Sequence, residues 1–377
     1  MAHRERLLST LIDLIRIDSP SGEEDAVDLE LSTRLRDLGC QIQHDSFNNI
    51  VAKLAGNDDS IRQNPVMLSA HMDTVDTCRG IKPVIDGDSL RSDGTTILGG
   101  DCKAGLTIVL EALASVKESG GNRRPVEVAF TRHEEGGLVG AHHLDFGLLS
   151  AKEGVVFDGE GPANRITIAA PSQNVVTANI KGRAAHAGLE PEVGRNALSA
   201  AATALLQLQA IPRNSQGNTR VNVGMMEGGS GRNIIPDRAL LKLETRGETV
   251  SLDSYMEGRA REILEASAAM HGVRVNIEKM GQTISGRSDP EMQNLIAEVA
   301  SDIPDFDDIV LEENFGAGDD AAIMMNRVQQ AGGKASYIVL GTELPSGHHT
   351  PFFDFNEEVL VSGTKLFVVS KIALSLP

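Results

Sequence analysis

Long hydrophobic runs are absent from the 377-residue sequence, and no segment has the length of a membrane span. The first ten residues, MAHRERLLST, also lack the apolar core of a secretory signal peptide. Cysteine is scarce, and its three residues, Cys40, Cys78 and Cys102, form no CxxC spacing. These absences argue against a structural zinc knuckle and indicate a reducing compartment, so we expect a cytoplasmic protein.

Basic residues are outnumbered, with 35 Lys and Arg against 53 Asp and Glu and a net charge of −18. This balance argues against nucleic acids and anionic membranes as partners, because both repel an acidic surface. It does not define a substrate, since such a charge often serves solubility alone. Hydrophobic residues at 41% and charged residues at 23% are ordinary for a globular protein, and the length predicts two domains.

The first part of the sequence alternates helical and strand patterns. Apolar residues at helical spacing in RERLLSTLIDLIRI predict a first helix. Ser21 is a candidate N-cap of a second helix, with Glu24 three residues later. Apolar runs such as PVMLSA, VEVAFTR and GVVFDG then alternate with helical segments such as AGLTIVLEALASVKESG. This order predicts an α/β fold with a mostly parallel sheet and helices on both faces.

The middle of the sequence, residues 172–280, has a different order of elements. Strand patterns such as NVVTANIKG, RVNVGMMEG and VRVNIEKM combine with two helical patterns in the order βαββαβ. That order is typical of a compact ferredoxin-like domain. We therefore expect an inserted domain at 172–280, with residues 1–171 and 281–377 forming one domain around it.

Histidine and acidic residues follow several of the predicted strands. Since parallel sheets form their sites at the carboxyl ends of strands, we expect these residues to share one edge. Each cluster also has an ordinary interpretation, such as a helix cap at Asp101 or a solvated turn at Glu134 and Glu135. Together, however, a histidine nitrogen and several carboxylates suit zinc, manganese or cobalt. The residues concerned are His71, Asp73, Asp101, Glu134, Glu135, Asp158, His348 and His349.

These segments resemble the di-zinc metallopeptidases of the peptidase T, glutamate carboxypeptidase and aminoacylase group, and most closely the peptidase T-like branch. The resemblance covers nearly the whole chain, including the inserted middle domain. It implies a catalytic metal-binding domain at 1–171 and 281–377 and a lid or dimerisation domain at 172–280. The motifs that carry it are SAHMDTV, SDGTTILGGDCKAG, EEGGLVGA, FDGEG, KGRAAHAG, GGSGRNIIPD and GHHTP.

The resemblance implies two divalent ions per chain, with zinc preferred and manganese or cobalt as alternatives. The ligand at the C-terminal end is assigned to His349 rather than His348, because the family places threonine or serine directly after it. One ion would be held by His71 and Asp158 and the other by Glu135 and His349, with Asp101 bridging both.

Two further residues of the same edge would act beside the ions. Asp73 would orient His71 and fix its tautomer. Glu134 would be the general base that takes a proton from the attacking water. Cys102 stands where the family usually has an acidic or amide residue, and it is either a benign substitution or a redox-sensitive position. PFFDF replaces a glutamate that is usual in the family, which puts the substrate in doubt.

The inserted domain would also contribute to the site. The resemblance implies that His186, in GRAAHAG, reaches the active site of the other subunit of a homodimer and supports the oxyanion. Asn233 and Arg246 would contact the polar end of the substrate, although Arg246 fits a surface ion pair equally well. The glycines of GGSGRNIIPD and of residues 99–105 do not follow the GxxxxGK[ST] order, so neither predicts a nucleotide-binding loop.

The expected function is that of a metal-dependent aminopeptidase, dipeptidase or tripeptidase acting on small peptides. An aspartate at position 158 tends to accompany aminopeptidases in the resembling family, whereas glutamate accompanies carboxypeptidases and deacylases. The alternative is an amidohydrolase or carboxypeptidase acting on N-acyl amino acids with the same machinery. A catalytically silent metal-binding homologue ranks last, because a scaffold has no need of the base Glu134.

Overall fold

The structure is a computed structural model, and it describes residues 3–57, 64–86, 89–158, 165–167, 169–170, 172–248, 250–282, 286–303, 310–312, 319–339 and 354–368. The chain divides into two compact units. The first comprises Met1–Ala169, Gly286–Phe315 and Asp319–Pro377, and the second comprises Ala170–Ser285 and Gly316–Gly318.

Helices and strands alternate along most of the described chain. The helices are α1 (Arg4–Ile15), α2 (Asp25–Asp37), α3 (Gly100–Ser119), α4 (Val139–His143), α5 (Ala197–Gln209), α6 (Val250–Met270), α7 (Pro290–Ser301), α8 (Ala321–Gln330) and α9 (Glu357–Val368). The strands are β1 (Gln41–His44), β2 (Ile50–Leu54), β3 (Val66–His71), β4 (Pro83–Asp86), β5 (Ser89–Ser92), β6 (Val126–Thr131), β7 (Glu153–Asp158), β8 (Arg165–Thr167), β9 (Ala169–Ala170), β10 (Ser172–Lys181), β11 (Thr219–Gly228), β12 (Arg238–Gly247), β13 (Arg274–Gln282), β14 (Gly286–Arg287), β15 (Val310–Glu312), β16 (Lys334–Val339) and β17 (Asp354–Asn356).

The first unit is built on a six-stranded sheet with the order β1-β2-β6-β3-β7-β16. The four strands β6, β3, β7 and β16 are parallel, and β2 and β1 extend the sheet in antiparallel fashion. Smaller pairings join β4, β5 and β17 and, separately, β8 and β15. The predicted α/β class with a mostly parallel sheet is confirmed.

Both faces of this sheet are buried, which explains the continuous apolar runs of its strands. All six residues of β3 are buried, and successive side chains enter different clusters. Leu68 packs in a cluster with Leu11 of α1 and Ile108 of α3. Met67 packs in a second cluster that contains Met324 of α8. The sheet therefore holds its strand ends rigidly between two layers of helices.

The second unit has the element order βαββαβ, from β10 through α5, β11, β12 and α6 to β13. Its antiparallel sheet has the order β11-β12-β10-β13. Alternate residues of β12, such as Leu241 and Leu243, are buried in one cluster with Ala204 of α5 and Leu264 of α6. The helices thus cover one face of the sheet, and the intervening residues of the strands lie on the other, open face.

The start of α2 differs from the sequence prediction. The N-cap is Glu24, which makes no side-chain cap hydrogen bond, and the helix begins at Asp25. Glu24 is instead buried against Arg132, with 2.9 Å between Oε2 and Nη2, because a buried guanidinium requires a counter-charge. Ser21 lies outside the helix, and its hydroxyl serves another purpose described below. None of the described helices is both long enough and apolar enough to traverse a bilayer.

Candidate metal centre

His71 ends β3 with its ring between two carboxylates. Its Nε2 atom lies 3.1 Å from Oδ1 of Asp101, and its Nδ1 atom lies 3.1 Å from the backbone oxygen of Asp73. The ring is only 3% exposed. Burial opposes protonation, but the hydrogen bonds to Asp101 and Asp73 raise the pKa of His71 well above its ordinary value. One nitrogen therefore faces the acidic cluster while the other is held from behind.

Asp73 is a fully buried acceptor that ties three chain segments together. Its Oδ1 accepts a hydrogen bond from the backbone N–H of Glu134 at 2.8 Å. Its Oδ2 accepts from the backbone N–H of Glu135 at 3.0 Å and from the hydroxyl of Ser21 at 2.6 Å. Burial works to raise the pKa of Asp73, but the bonds from His71, Ser21 and Glu134 outweigh it and lower the pKa. Asp73 thus remains a carboxylate that orients the loop after β6.

The possible ligand atoms converge around His71. One atom from each of His71, Asp101, Cys102 and Asp158 lies within 4.8 Å of the others. Asp101 and Cys102 lie in the first turn of α3, and the peptide bond between them is cis. A buried imidazole nitrogen beside two carboxylates fits zinc, manganese or cobalt by the chemistry of the donors.

Cys102 has another partner in this cluster. Its Sγ atom donates to the backbone oxygen of Phe157 at 3.1 Å. Complete burial raises the pKa of the Cys102 thiol well above its ordinary value. The sulfur therefore stays protonated beside the sheet, and the two carboxylates and the imidazole are the better ligand candidates.

Glu134 and Glu135 lie in the turn that connects β6 to α4. The turn is closed by the backbone N–H groups of Gly137 and Leu138, which donate to the oxygen of Glu134 at 2.9 and 2.7 Å. Burial raises the pKa of Glu134 well above its ordinary value, and nearby carboxylates such as Asp319 add to the shift against the opposing effect of His71. A glutamate that holds a proton so readily is suited to general acid–base chemistry.

Sequence reasoning missed three residues at this edge. Tyr337 of β16 is fully buried, and its hydroxyl lies 3.0 Å from Oδ2 of Asp158 and 2.5 Å from Oδ2 of Asp319. Asp320 accepts a hydrogen bond from the hydroxyl of Thr131 at 2.6 Å. The available signal was the adjacent pair of aspartates in GAGDDAA directly before α8, which resembles an ordinary helix start.

The hydroxyl of Tyr337 has one hydrogen and two carboxyl neighbours. One of those two carboxyl groups must therefore carry a proton when both bonds are made. Burial and the nearby Asp101 raise the pKa of Asp158 to about 7. Burial and the proximity of Asp158 raise the pKa of Asp319 well above its ordinary value. Both shifts have the same main cause, the burial of carboxyl groups that lie close together.

The residues predicted for substrate contact lie in the second unit. His186 is exposed, and its Nδ1 atom accepts from the backbone N–H of Gly188 at 3.2 Å. Asn233 lies beside it, since its backbone oxygen accepts from the N–H of Ala187 at 3.0 Å. Arg246 is the penultimate residue of β12 and forms an ion pair of 3.0 Å with Glu244. His348 and His349 lie outside the described residues.

Two related proteins are hydrolases by name. The chain is 46% identical over 197 residues to an indole-3-acetyl-aspartic acid hydrolase of Enterobacter agglomerans, which covers 52% of this chain and 45% of that protein. It is 35% identical over 352 residues to one subunit of the p-aminobenzoyl-glutamate hydrolase of Escherichia coli (strain K12), covering 88% of this chain and 77% of that protein. The chain thus spans less than half the length of the first relative.

Two solved structures share the fold over nearly the whole chain. An aminopeptidase PepT from Bacillus cereus ATCC 10987 has a TM-score of 0.74 and 29% identity, with 97% of each chain covered. A tripeptidase from Staphylococcus aureus subsp. aureus Mu50 has a TM-score of 0.80 and 28% identity, with 99% of each chain covered. The likeness to peptidase T-like proteins predicted from the sequence is confirmed.

A family model confirms the relationship from the sequence itself. The model of peptidase family M20/M25/M40 matches residues 67–369, a span that runs from β3 to the C-terminal end of the described chain. The family is metal-dependent, and its members are peptidases and amidohydrolases. The chain therefore belongs to peptidase family M20/M25/M40.

Proposed function

We propose that the protein hydrolyses the amide bond of small N-acyl amino acids, with a metal-assisted site at the carboxyl edge of the first unit's sheet. The observation that carries this proposal is the cluster of the buried His71 and Asp158 with the partly buried Asp101, beside Glu134. Burial of several carboxylates next to an imidazole is costly unless a cation or protons compensate for it. Such a cluster is therefore suited to a divalent ion.

Two ions per chain, zinc, manganese or cobalt, would complete the site. A bound divalent ion supplies positive charge that polarises the amide carbonyl and makes a nearby water easier to deprotonate. His71 would bind an ion through Nε2, the nitrogen that faces Asp101, since Nδ1 faces Asp73. The proposed holders are His71, Asp101, Glu135, Asp158 and His349.

Glu134 would move the proton in this reaction. It would take a proton from the attacking water and deliver it to the amine nitrogen of the leaving amino acid. Asp73 would position it, because the backbone N–H groups of both Glu134 and Glu135 donate to that carboxylate. Both glutamates are thus held in one fixed turn, and we propose Glu134 as the base and Glu135 as a ligand.

The second unit would bind the substrate and complete the site in a homodimer. We propose that His186 supports the developing oxyanion in the partner subunit's site. Asn233 would bind the polar end of the substrate, since its loop lies against that of His186. Arg246 would contact the free carboxylate of the amino acid, and Glu244 would hold its guanidinium in place. The three free, buried cysteines support a cytoplasmic location.

The acyl amino acid is favoured over the small peptide by the relatives. The two hydrolases at 46% and 35% identity are both named for substrates that contain an acidic amino acid. Small peptides form the second candidate class. Two observations favour it, namely the aspartate at position 158 and the similarity to a tripeptidase over 99% of both chains.

A substrate panel tests the proposal. The zinc-, manganese- or cobalt-loaded protein is assayed for kcat/KM on N-acyl-aspartates and N-acyl-glutamates and on unblocked tripeptides, with Glu134→Gln as the background control. Faster hydrolysis of the acyl amino acids supports the first candidate. Preference for the free tripeptides would transfer the assignment to the second, and no hydrolysis of any amide by loaded protein would refute both.

A further inference from the structure

Three cationic side chains form one line across the sheet of the second unit, which we call the basic row: Arg238, Lys181 and Arg274. Lys181 lies directly opposite Arg238 of β12 and directly opposite Arg274 of β13. Opposed residues of antiparallel strands have Cβ atoms about 4.5–5.5 Å apart. All three side chains are exposed, on the open face that α5 and α6 leave uncovered. Three positive charges therefore lie side by side over roughly 10 Å, or two strand spacings.

Among the residues that the structure describes, the basic row lacks ion pairs, although Glu227 and Asp237 line the same cavity. Within the described ranges, no acidic side chain forms an ion pair with any of its three members. Other cations of the same unit are paired, as Arg246 is with Glu244 and Lys279 with Glu257 at 2.9 Å. Like charges that face each other across a sheet destabilise it. In a chain with 53 acidic and 35 basic residues, such a row points to an anion supplied from outside.

The basic row lines a cavity of about 810 Å³. This volume lies in the range of small-molecule sites, roughly 300–1,000 Å³. Asn179 and Leu240 form the next line of the same face, with Glu227 directly opposite Leu240, and Asp237 also lines the cavity. The cavity therefore offers cations for an anionic group, with an amide and carboxylates that accept hydrogen bonds from hydroxyl groups.

We propose that this cavity binds a small metabolite that carries two phosphoryl groups. The guanidinium groups of Arg238 and Arg274 present planar forks that match phosphoryl oxygens in bidentate fashion, and Lys181 adds a point charge between them. Each phosphoryl group of a monoester carries about −1.5 to −2 charges near neutral pH, so two such groups match a row of three cations. The proposal does not depend on the proposed hydrolytic function.

Titration calorimetry of the metal-loaded protein with inorganic pyrophosphate tests the proposal. The variant is Lys181→Gln, and the matched control is Lys242→Gln, an exposed lysine on the open face of β12 that does not line the cavity. Loss of a charge-assisted bond predicts at least about tenfold weaker binding for Lys181→Gln and unchanged binding for the control. Pyrophosphate bound at the metal centre would bind both variants and the wild type equally, and that result would overturn the proposal.

Thermal unfolding supplies a second readout. Without pyrophosphate, Lys181→Gln should unfold at a higher temperature than the wild type, because the central like charge is removed. Addition of pyrophosphate should raise the unfolding temperature of the wild type but not that of Lys181→Gln. Equal shifts with citrate would refute the phosphoryl assignment. Dissociation of an oligomer by Lys181→Gln in size-exclusion chromatography would assign the row to a contact between copies and would also overturn the proposal.

Discussion

The first unit gathers carboxylates at the carboxyl edge of its sheet, and the second unit gathers cations on the open face of its own. Asp73 and Asp158 are buried, and each has a defined donor, Ser21 for Asp73 and Tyr337 for Asp158. The three cations of the basic row are exposed, and none of them forms an ion pair within the described ranges. Buried like charges must be neutralised by protons or a cation, whereas exposed ones are screened by water and salt. Removal of a counter-ion should therefore affect the first unit far more.

Removal of metal is expected to have the largest effect. Dialysis against a chelator should abolish hydrolysis, and zinc, manganese or cobalt should restore it, because the proposed reaction depends on the ion. Activity and metal content are measured on the same samples, with a magnesium-treated sample as the control. Full activity in rigorously metal-free protein would contradict the proposed site.

Glu134 and Glu135 allow a sharper comparison, between two adjacent glutamates of the first unit with different proposed roles. Glu134→Gln should lower kcat by at least ~10²-fold and keep the metal content, since only the base is lost. Glu135→Gln should instead lower the metal content. Turnover rates and metal analysis by mass spectrometry check both variants. The reverse pattern would exchange the two roles and leave the position of the site unchanged.

Tyr337 tests whether a residue behind the cluster influences metal binding. Tyr337→Phe removes the hydroxyl that contacts Asp158 and Asp319 and should weaken metal affinity by roughly 10–100-fold, as is usual for partners of ligands. Competition with a chromogenic chelator measures the affinity. Tyr255→Phe, an exposed tyrosine of α6, is the control and should bind metal like the wild type. Equal affinities for the two variants would show that Tyr337 only fills space.

Asp253 of α6 has a buried carboxyl group and lies in the second unit, which also contains the basic row. Burial raises the pKa of Asp253 to about 7, so the folded protein holds a proton that the unfolded chain releases near pH 4. That contribution to stability is complete below pH ~4 and is lost as the pH rises towards 7. The free energy of unfolding of Asp253→Asn, taken relative to that of the wild type, should therefore be higher at pH 8 than at pH 4 by about 1 kcal/mol or more.

Urea unfolding at both pH values measures this difference. Subtracting the change in the wild-type free energy of unfolding removes the contribution of the carboxylates in the first unit. Glu265→Gln, an exposed position of the same helix, should show no such change. A constant difference between Asp253→Asn and the wild type across the pH range would contradict the prediction.

The parts of the fold that the sequence predicted are those whose signals are local. The runs PVMLSA and VEVAFT are apolar at nearly every position because β3 and β6 are covered on both faces, and this pattern lies within six residues. Acidic residues at the ends of such strands share an edge by the geometry of a parallel sheet. The α/β class and the grouping of His71 with Asp158 follow from that geometry, whereas the bridging role predicted for Asp101, in the first turn of α3, came from the family resemblance.

The residues that sequence reasoning missed depend on contacts between distant segments. Tyr337 meets Asp158 from 179 residues away, and Thr131 meets Asp320 from 189. Ser21 was misassigned for the same reason. A serine followed by glutamate at the third position fits a capping box, and only the folded chain reveals that the hydroxyl contacts Asp73.

The three hydrogen bonds accepted by Asp73 have a consequence for the order of events in folding. They join segments 52, 61 and 62 residues apart. The bonds from Glu134 and Glu135 require the ends of β3 and β6 to meet, and the bond from Ser21 requires the segment before α2 to reach the end of β3. Contacts of such separation form late, because chain entropy opposes loop closure. The amide protons of Glu134 and Glu135 should consequently exchange with deuterium only through extensive opening of the first unit. Their exchange rates therefore report the global stability of that unit rather than local fraying of a loop.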